Sequence, residues 1–356
     1  MRKIVLIITL LLQTININSQ NKLIFHTEYL DTIISWFNAG CPKNSIDILV
    51  LYPESQIMEQ LLINQEKNVP LFKNYLIHYN PQDSSSGSKY LLNEAYIKSK
   101  EIAALINKIK ESDFSDSVYS RVLSYFPEDY TPTRNYEVYF TATGWKWGDA
   151  MSFSYNKTGD KYAVTDTGTP AIIFNLTIVC NTYGKTLKEQ MDALQEVMSH
   201  ELFHAILSDY TKTNWISFNV KEINNNALML IFDEGIAHYI SQGKILRDRY
   251  KSDNKITHIE NKTFITLSDS SKVIFNPSKN EKERLSALNS GLYGKYWDKY
   301  ISMTGFFMAY HIDQYYGVNG LKECVKNGPT YFIKKYELIT IANPGLPKLP
   351  KEITSL

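Results

Sequence analysis

The stretch His200-Glu201-Leu202-Phe203-His204 constrains the chain more than any other, because its polar residues act together only on a helix. Positions four apart on a helix lie about 40° apart around the axis and about 6 Å along it, so both imidazoles reach one metal ion from one face. Glu201 then falls beside the ion, where a general base takes a proton from water activated by zinc.

The flanking residues supply that helix. Thr186 and Glu189 form a capping box, and Leu187, Met191, Leu194 and Met198 recur at helical spacing, which predicts a helix from about 187 to 208 with the motif in its last two turns. Upstream, Ala171–Val179 is a β-rich run introduced by Thr169-Pro170 and reads as a strand immediately before the helix. Such a strand can pair an extended peptide through its own backbone groups.

A hydrolytic zinc site keeps three protein ligands and one open position, so a third ligand comes from elsewhere. The His-x-x-Gly-x-x-His continuation of one zinc-peptidase group is excluded, because Leu207 stands at the glycine position and Tyr210 at the third histidine. Asp209 lies five residues past His204, which turns it off the metal face. The remaining candidates, Asp233, Glu234 and His238, lie in Ile231–Tyr239, on a predicted helix that Asn226 would cap and Gly243 would end.

The segment Phe232-Asp-Glu-Gly-Ile-Ala-His-Tyr239 is similar to the Asn-Glu-Gly-Phe-Ala segment that supplies the glutamate ligand in aminopeptidase N-like enzymes. With His200–His204 it resembles the gluzincins, the thermolysin-like clan of zinc peptidases, and a family of secreted bacterial proteins described as zinc-dependent peptidases. The resemblance covers two short segments. It implies zinc (Zn2+) as cofactor, Glu234 as third ligand beside His200 and His204, and a peptide or protein as substrate. Gly235 and Ala237 would let this second helix approach the first closely. Asp233 is placed to accept a hydrogen bond from the non-ligating nitrogen of a zinc histidine. His238 shares the face of Glu234, as a substrate contact, an oxyanion donor or an alternative third ligand. The chain departs from the aminopeptidase pattern in two ways. The connection over residues 205–233 is longer, which a surface loop absorbs at little cost. The strand run also lacks the Gly-x-Met-Glu-Asn glutamate that binds a free amino group.

Zinc peptidases use a further donor, commonly Tyr or His, facing the oxyanion. Gly291–Tyr300 offers Tyr293, Tyr296 and Tyr300 at a similar separation from the ligand. Tyr300 is preferred, because it begins an amphipathic helix (Ile301, Thr304, Met308, Ile312) ending near Gly317 and could project from the lower wall of the cleft.

At the N-terminus, Met1-Arg2-Lys3, the apolar run Ile4–Leu12 and the polar Gln13–Gln20 read as a secretory signal peptide cleaved near Ser19 or Gln20, which predicts a secreted or periplasmic protein. The apolar run is too short for a membrane anchor. Removing Arg2 and Lys3 from 38 basic residues leaves 36 against 37 acidic ones, a balance that argues against nucleic acid as partner. Cys41, Cys180 and Cys324 are widely spaced and imply neither a disulfide scaffold nor a cysteine zinc site.

The expected architecture is α+β and mostly helical, with a small mixed sheet in a zincin-like upper lobe and a helical lower lobe. The divisions are a signal peptide (1–20), an N-terminal helical region (21–135), the catalytic core (136–243), an insertion with a possible hairpin around Ser268–Ser271 (244–290), a C-terminal helical lobe (291–342) and a proline-rich tail (343–356). Such a site is expected to hydrolyse peptide bonds. The same metal chemistry also serves a non-peptide amide or ester, whereas a binding protein on an inactive scaffold would not need the complete set of ligands and base.

Overall fold

The computed structural model describes residues 23–66, 68–83, 88–146, 148–165 and 167–356; the expected signal peptide lies outside the described residues. Five strands, β1 (Leu23–His26), β2 (Tyr136–Thr141), β3 (Ala150–Thr158), β4 (Lys161–Thr165) and β5 (Thr169–Asn175), form one sheet in the order β1-β2-β5-β3-β4. β1, β2 and β5 are parallel and β3 runs antiparallel to both β5 and β4, so the sheet is mixed. The remainder is mostly helical, which makes the fold α+β as expected.

The N-terminal part contains α1 (Glu28–Asn38), α2 (Ile46–Leu49), α3 (Pro53–Gln65), α4 (Phe72–His78), α5 (Leu92–Glu111) and α6 (Phe114–Leu123). β1 precedes them and was not foreseen, since four residues carry too little periodicity to declare a strand. After the sheet come α7 (Leu176–Thr182), α8 (Leu187–Asn214), α9 (Ile223–Ser252), α10 (Lys255–Ile274), α11 (Glu281–Ser290), α12 (Tyr300–Asn327), α13 (Pro329–Ala342) and α14 (Lys351–Thr354). α12 breaks at Gly317, whose φ of 67° is open to glycine and strained for other residues.

Several expectations are corrected. The strand run ends at Asn175, whose side chain accepts from the Thr177 amide at 3.2 Å and caps α7, so Leu176–Val179 are helical. β5 is also central, flanked by β2 and β3, and cannot receive a substrate strand. Its unbroken run Ala171-Ile172-Ile173-Phe174, buried throughout, is the mark of such a strand. α8 continues ten residues beyond His204, so most of the longer connection is helix rather than loop. α9 starts at Ile223 without a side-chain cap and runs past Gly243, which is pressed against the Tyr239 ring instead of ending the helix. No hairpin occurs at Ser268–Ser271, which lies within α10, because Ile256, Glu260, Thr263, Phe264, Leu267, Ser271 and Ile274 form a buried helical stripe.

The free edge of β4 is covered by side chains. Gln60 on α3 donates to the Tyr162 carbonyl at 2.6 Å and accepts from the Val164 amide at 2.9 Å, and Gln56 accepts from the Tyr162 amide at 3.1 Å. These amides imitate a neighbouring strand and block edge pairing. Because β4 pairs only with Ser154–Thr158, the first half of β3, Ala150–Phe153, has a neighbouring strand on one side alone among the described residues.

Glu54 on α3 is 1% exposed, and neither carboxyl oxygen has a hydrogen-bond partner among the described residues. Burial, aided by Glu28, pushes its carboxyl up to about 7. The folded chain therefore holds a proton that the unfolded chain releases above about pH 4.5, and stability falls as pH rises from there to about 7. The loss is about 3 kcal/mol. Glu54→Gln should remove that part of the pH dependence, so that urea unfolding at about pH 8 shows a gain over wild type that vanishes near pH 4. An equal difference at both pH values would show that Glu54 does not titrate in this window.

Candidate metal centre

α8 carries His200, Glu201 and His204, and its start is secured by the Thr186–Glu189 capping box, with the Glu189 amide donating to Thr186 at 3.2 Å. α8 packs on β3 and β5 and against α9, which carries Asp233, Glu234 and His238. α12 packs across α9.

His200 Nε2 and His204 Nε2 are 3.0 Å apart, Glu234 Oε1 is 3.8 Å from His204 Nε2, and Glu234 Oε2 is 4.0 Å from His200 Nε2. Ligands around a tetrahedral zinc at ordinary bond lengths stand about 3.3–3.5 Å apart, so shifts of about half an ångström would close this triangle around one ion. His238 Nε2 stands 3.7 Å from Glu234 Oε2, and His200, Glu234 and His238 also have ligand atoms all within 4.8 Å of one another. Two triads thus share His200 and Glu234, completed by His204 or by His238. The first is the tighter, and its His204 has the partner a ligating imidazole requires, since Nδ1 meets Asp233 Oδ1 at 2.7 Å. The Ala237 backbone pulls the His200 imidazole up against its burial.

Glu201 lies beside the triangle. Its Oε2 accepts from Ser152 Oγ on β3 at 2.7 Å, which ties its carboxylate to the open half of that strand. Burial pushes the Glu201 carboxyl up. Burial also raises Glu234, against the pull of His204. His204 behaves differently: burial disfavours its charge, yet the Asp233 carboxylate prevails and lifts it to about 10. Burial, with the Lys299 charge, lowers His238 to about 3, and burial with neighbouring histidines lowers His200. Two of the three imidazoles are therefore neutral at pH 7, the form that binds metal, and an ion must displace the proton of the third.

Asp209 is turned away from the site, paired with Arg134 and bonded to Tyr136 at 3.2 Å. Tyr300 does not reach the cleft: its hydroxyl donates to the Ala287 carbonyl and lies 3.0 Å from Ser290, so α11 occupies the group expected to face the oxyanion. Tyr293 is 74% exposed, whereas Tyr296 sets its ring edge-on to His238 with centroids 5.5 Å apart. Gly235 permits a close helix crossing, but with α12 rather than α8: a Cβ there would lie 2.3 Å from the Gly305 carbonyl carbon. Ser152, Lys299 and Ser302, whose hydroxyl lowers the Glu234 carboxyl, were not foreseen. Ser152 and Ser302 have no motif around them, and Lys299 is marked only by preceding the first residue of α12.

No curated protein and no solved structure matches this chain. A family model spans residues 46–344, a range that includes every residue of the cluster. A histidine–carboxylate cluster that can hold a metal ion, on a chain matched over most of its length, places it in a zinc-dependent family: the chain belongs to the family described as "Putative zinc dependent peptidase (DUF5700)".

Proposed function

We propose that this protein is a gluzincin-type zinc peptidase, secreted or periplasmic, in which His200, His204 and Glu234 hold the ion and Glu201 is the general base. The observation that carries the reading is the 3.0–4.0 Å triangle of His200, His204 and Glu234 with the Glu201 carboxylate tethered beside it. Zinc held there lowers the pKa of water and polarises a carbonyl. Ser152 holds one oxygen of Glu201, leaving the other to take the proton of the attacking water and pass it to the leaving amine nitrogen. Its raised carboxyl pKa moves it toward the range in which it can both accept and return that proton. His238, 3.7 Å from Glu234, and Lys299, whose charge acts on His238, stabilise the negative charge that develops on the carbonyl oxygen. Ala150–Phe153 of β3 replaces β5 as the edge on which an extended substrate pairs.

Asp233 orients His204 and raises its basicity as a ligand. Asp233→Asn should weaken zinc binding by about 10–100-fold, measured by competition with a chromophoric chelator. Unchanged affinity would remove Asp233 from the site.

The reading is tested on protein lacking residues 1–20. It should contain one zinc per chain, digest casein, lose that activity to a chelator and recover it with added zinc. Digestion undiminished after the metal is stripped would overturn it.

A further inference from the structure

α9 presents one continuous face away from the cluster. From Glu234, steps of three or four residues lead through His238, Gln242, Ile245 and Leu246 to Arg249, about 22 Å along the helix. The outer half of this face opens into a cavity of about 310 Å³ lined by Gln242, Ile245, Leu246, Arg249, Tyr296, Trp297 and Phe306. Leu246 and Phe306 are each 1% exposed and make its apolar floor. The Tyr296 and Trp297 rings meet edge-on at 4.8 Å and make the wall, and the Arg249 guanidinium lies 5.0 Å over the Trp297 ring. The Tyr296 hydroxyl donates to Gln242 Oε1 at 2.8 Å, holding the wall in place.

This cavity adjoins the metal centre. Tyr296, its wall, is set edge-on against His238, and Phe306, its floor, has its ring 6.1 Å from that imidazole. A peptide whose scissile carbonyl lies at the cluster projects an adjacent side chain along this direction. We propose that the cavity is a substrate side-chain subsite that selects a large apolar residue, aromatic before aliphatic, next to the scissile bond. The proposal rests on the peptidase reading above. Its aromatic wall offers ring faces and edges to a flat side chain, its floor carries no charge, and its volume of about 310 Å³ is ample for a large side chain. An acidic residue finds Arg249 already paired with Asp253 at 3.3 Å and stacked on Trp297.

The test uses quenched fluorogenic peptides that differ only in having Phe, Leu, Ala or Asp at each position flanking the scissile bond. At one position kcat/KM should favour Phe over Ala by at least about tenfold, with Asp poorest. Ile245 is 45% exposed on the rim, so Ile245→Trp narrows the cavity without disturbing the core. It should bring the Phe-to-Ala ratio near one while leaving zinc content unchanged. Independently of turnover, an N-acetyl-phenylalanyl peptide titrated into zinc-loaded Glu201→Gln protein should change tryptophan fluorescence, and Trp297→Phe in that background should abolish the change. Cleavage with no preference between Phe and Ala at any position overturns the subsite and leaves the peptidase reading intact. Trp297-dependent binding without cleavage by wild type overturns the peptidase reading instead. Neither cleavage nor binding overturns both.

Discussion

Glu201→Gln should keep one zinc per chain and lose peptide hydrolysis by about 10⁴-fold. The substitution preserves size and the contact with Ser152 Oγ but leaves no carboxylate to accept a proton. The triangle of His200, His204 and Glu234 does not include Glu201, so metal content should stay at wild-type level. His200→Ala is the contrasting variant, which removes a corner of that triangle and should lose both metal and activity. Metal analysis of purified proteins and initial rates on one peptide separate the two outcomes. A Glu201→Gln protein that still cleaves at near wild-type rate would show that the proton goes elsewhere.

Gly305→Ala should destabilise the fold by about 4 kcal/mol or more. A Cβ there would lie 1.8 Å from the Ile231 carbonyl oxygen and 2.8 Å from the Gly235 Cα, both main-chain atoms of α9. Backbone cannot turn aside as a flexible side chain does, so α9 and α12 would have to separate. That separation would also move Glu234 away from Ser302 and alter the spacing of Glu234 and His238 from Lys299. Gly235→Ala meets the same crossing from the other side, with its Cβ 2.3 Å from the Gly305 carbonyl carbon. Gly345→Ala is the control, since nothing among the described residues lies within 4 Å of its added carbon. Thermal unfolding should show a large fall in Tm for Gly305→Ala and almost none for Gly345→Ala. A Gly305→Ala protein with unchanged Tm would mean that the helices do not cross this closely.

What could be read in advance was local. The Thr186–Glu189 capping box, the helical spacing of Leu194 and Met198, and the i, i+4 histidines all express geometry within one helix, and α8 reproduces it. The break of α12 at Gly317 and the irregular stretch before α14 follow from single residues with restricted or unusual backbone preferences. Errors appeared where one pattern served two structures. A short apolar run such as Leu176–Val179 suits strand or helix alike until the Asn175 cap decides it, and polar α10 hides its buried stripe among many serines and lysines.

The chain by itself therefore determined the helix of the two histidines, a carboxylate helix and an α+β class, because each depends on neighbours a few residues apart. Tertiary structure alone decided that β5 is central and β3 open, that Ser152 holds Glu201, that α11 takes Tyr300, and that Gly235 meets Gly305. Each of these joins segments whose spacing along the chain carries no trace of the contact, so only the packing of one helix or strand against another could settle it.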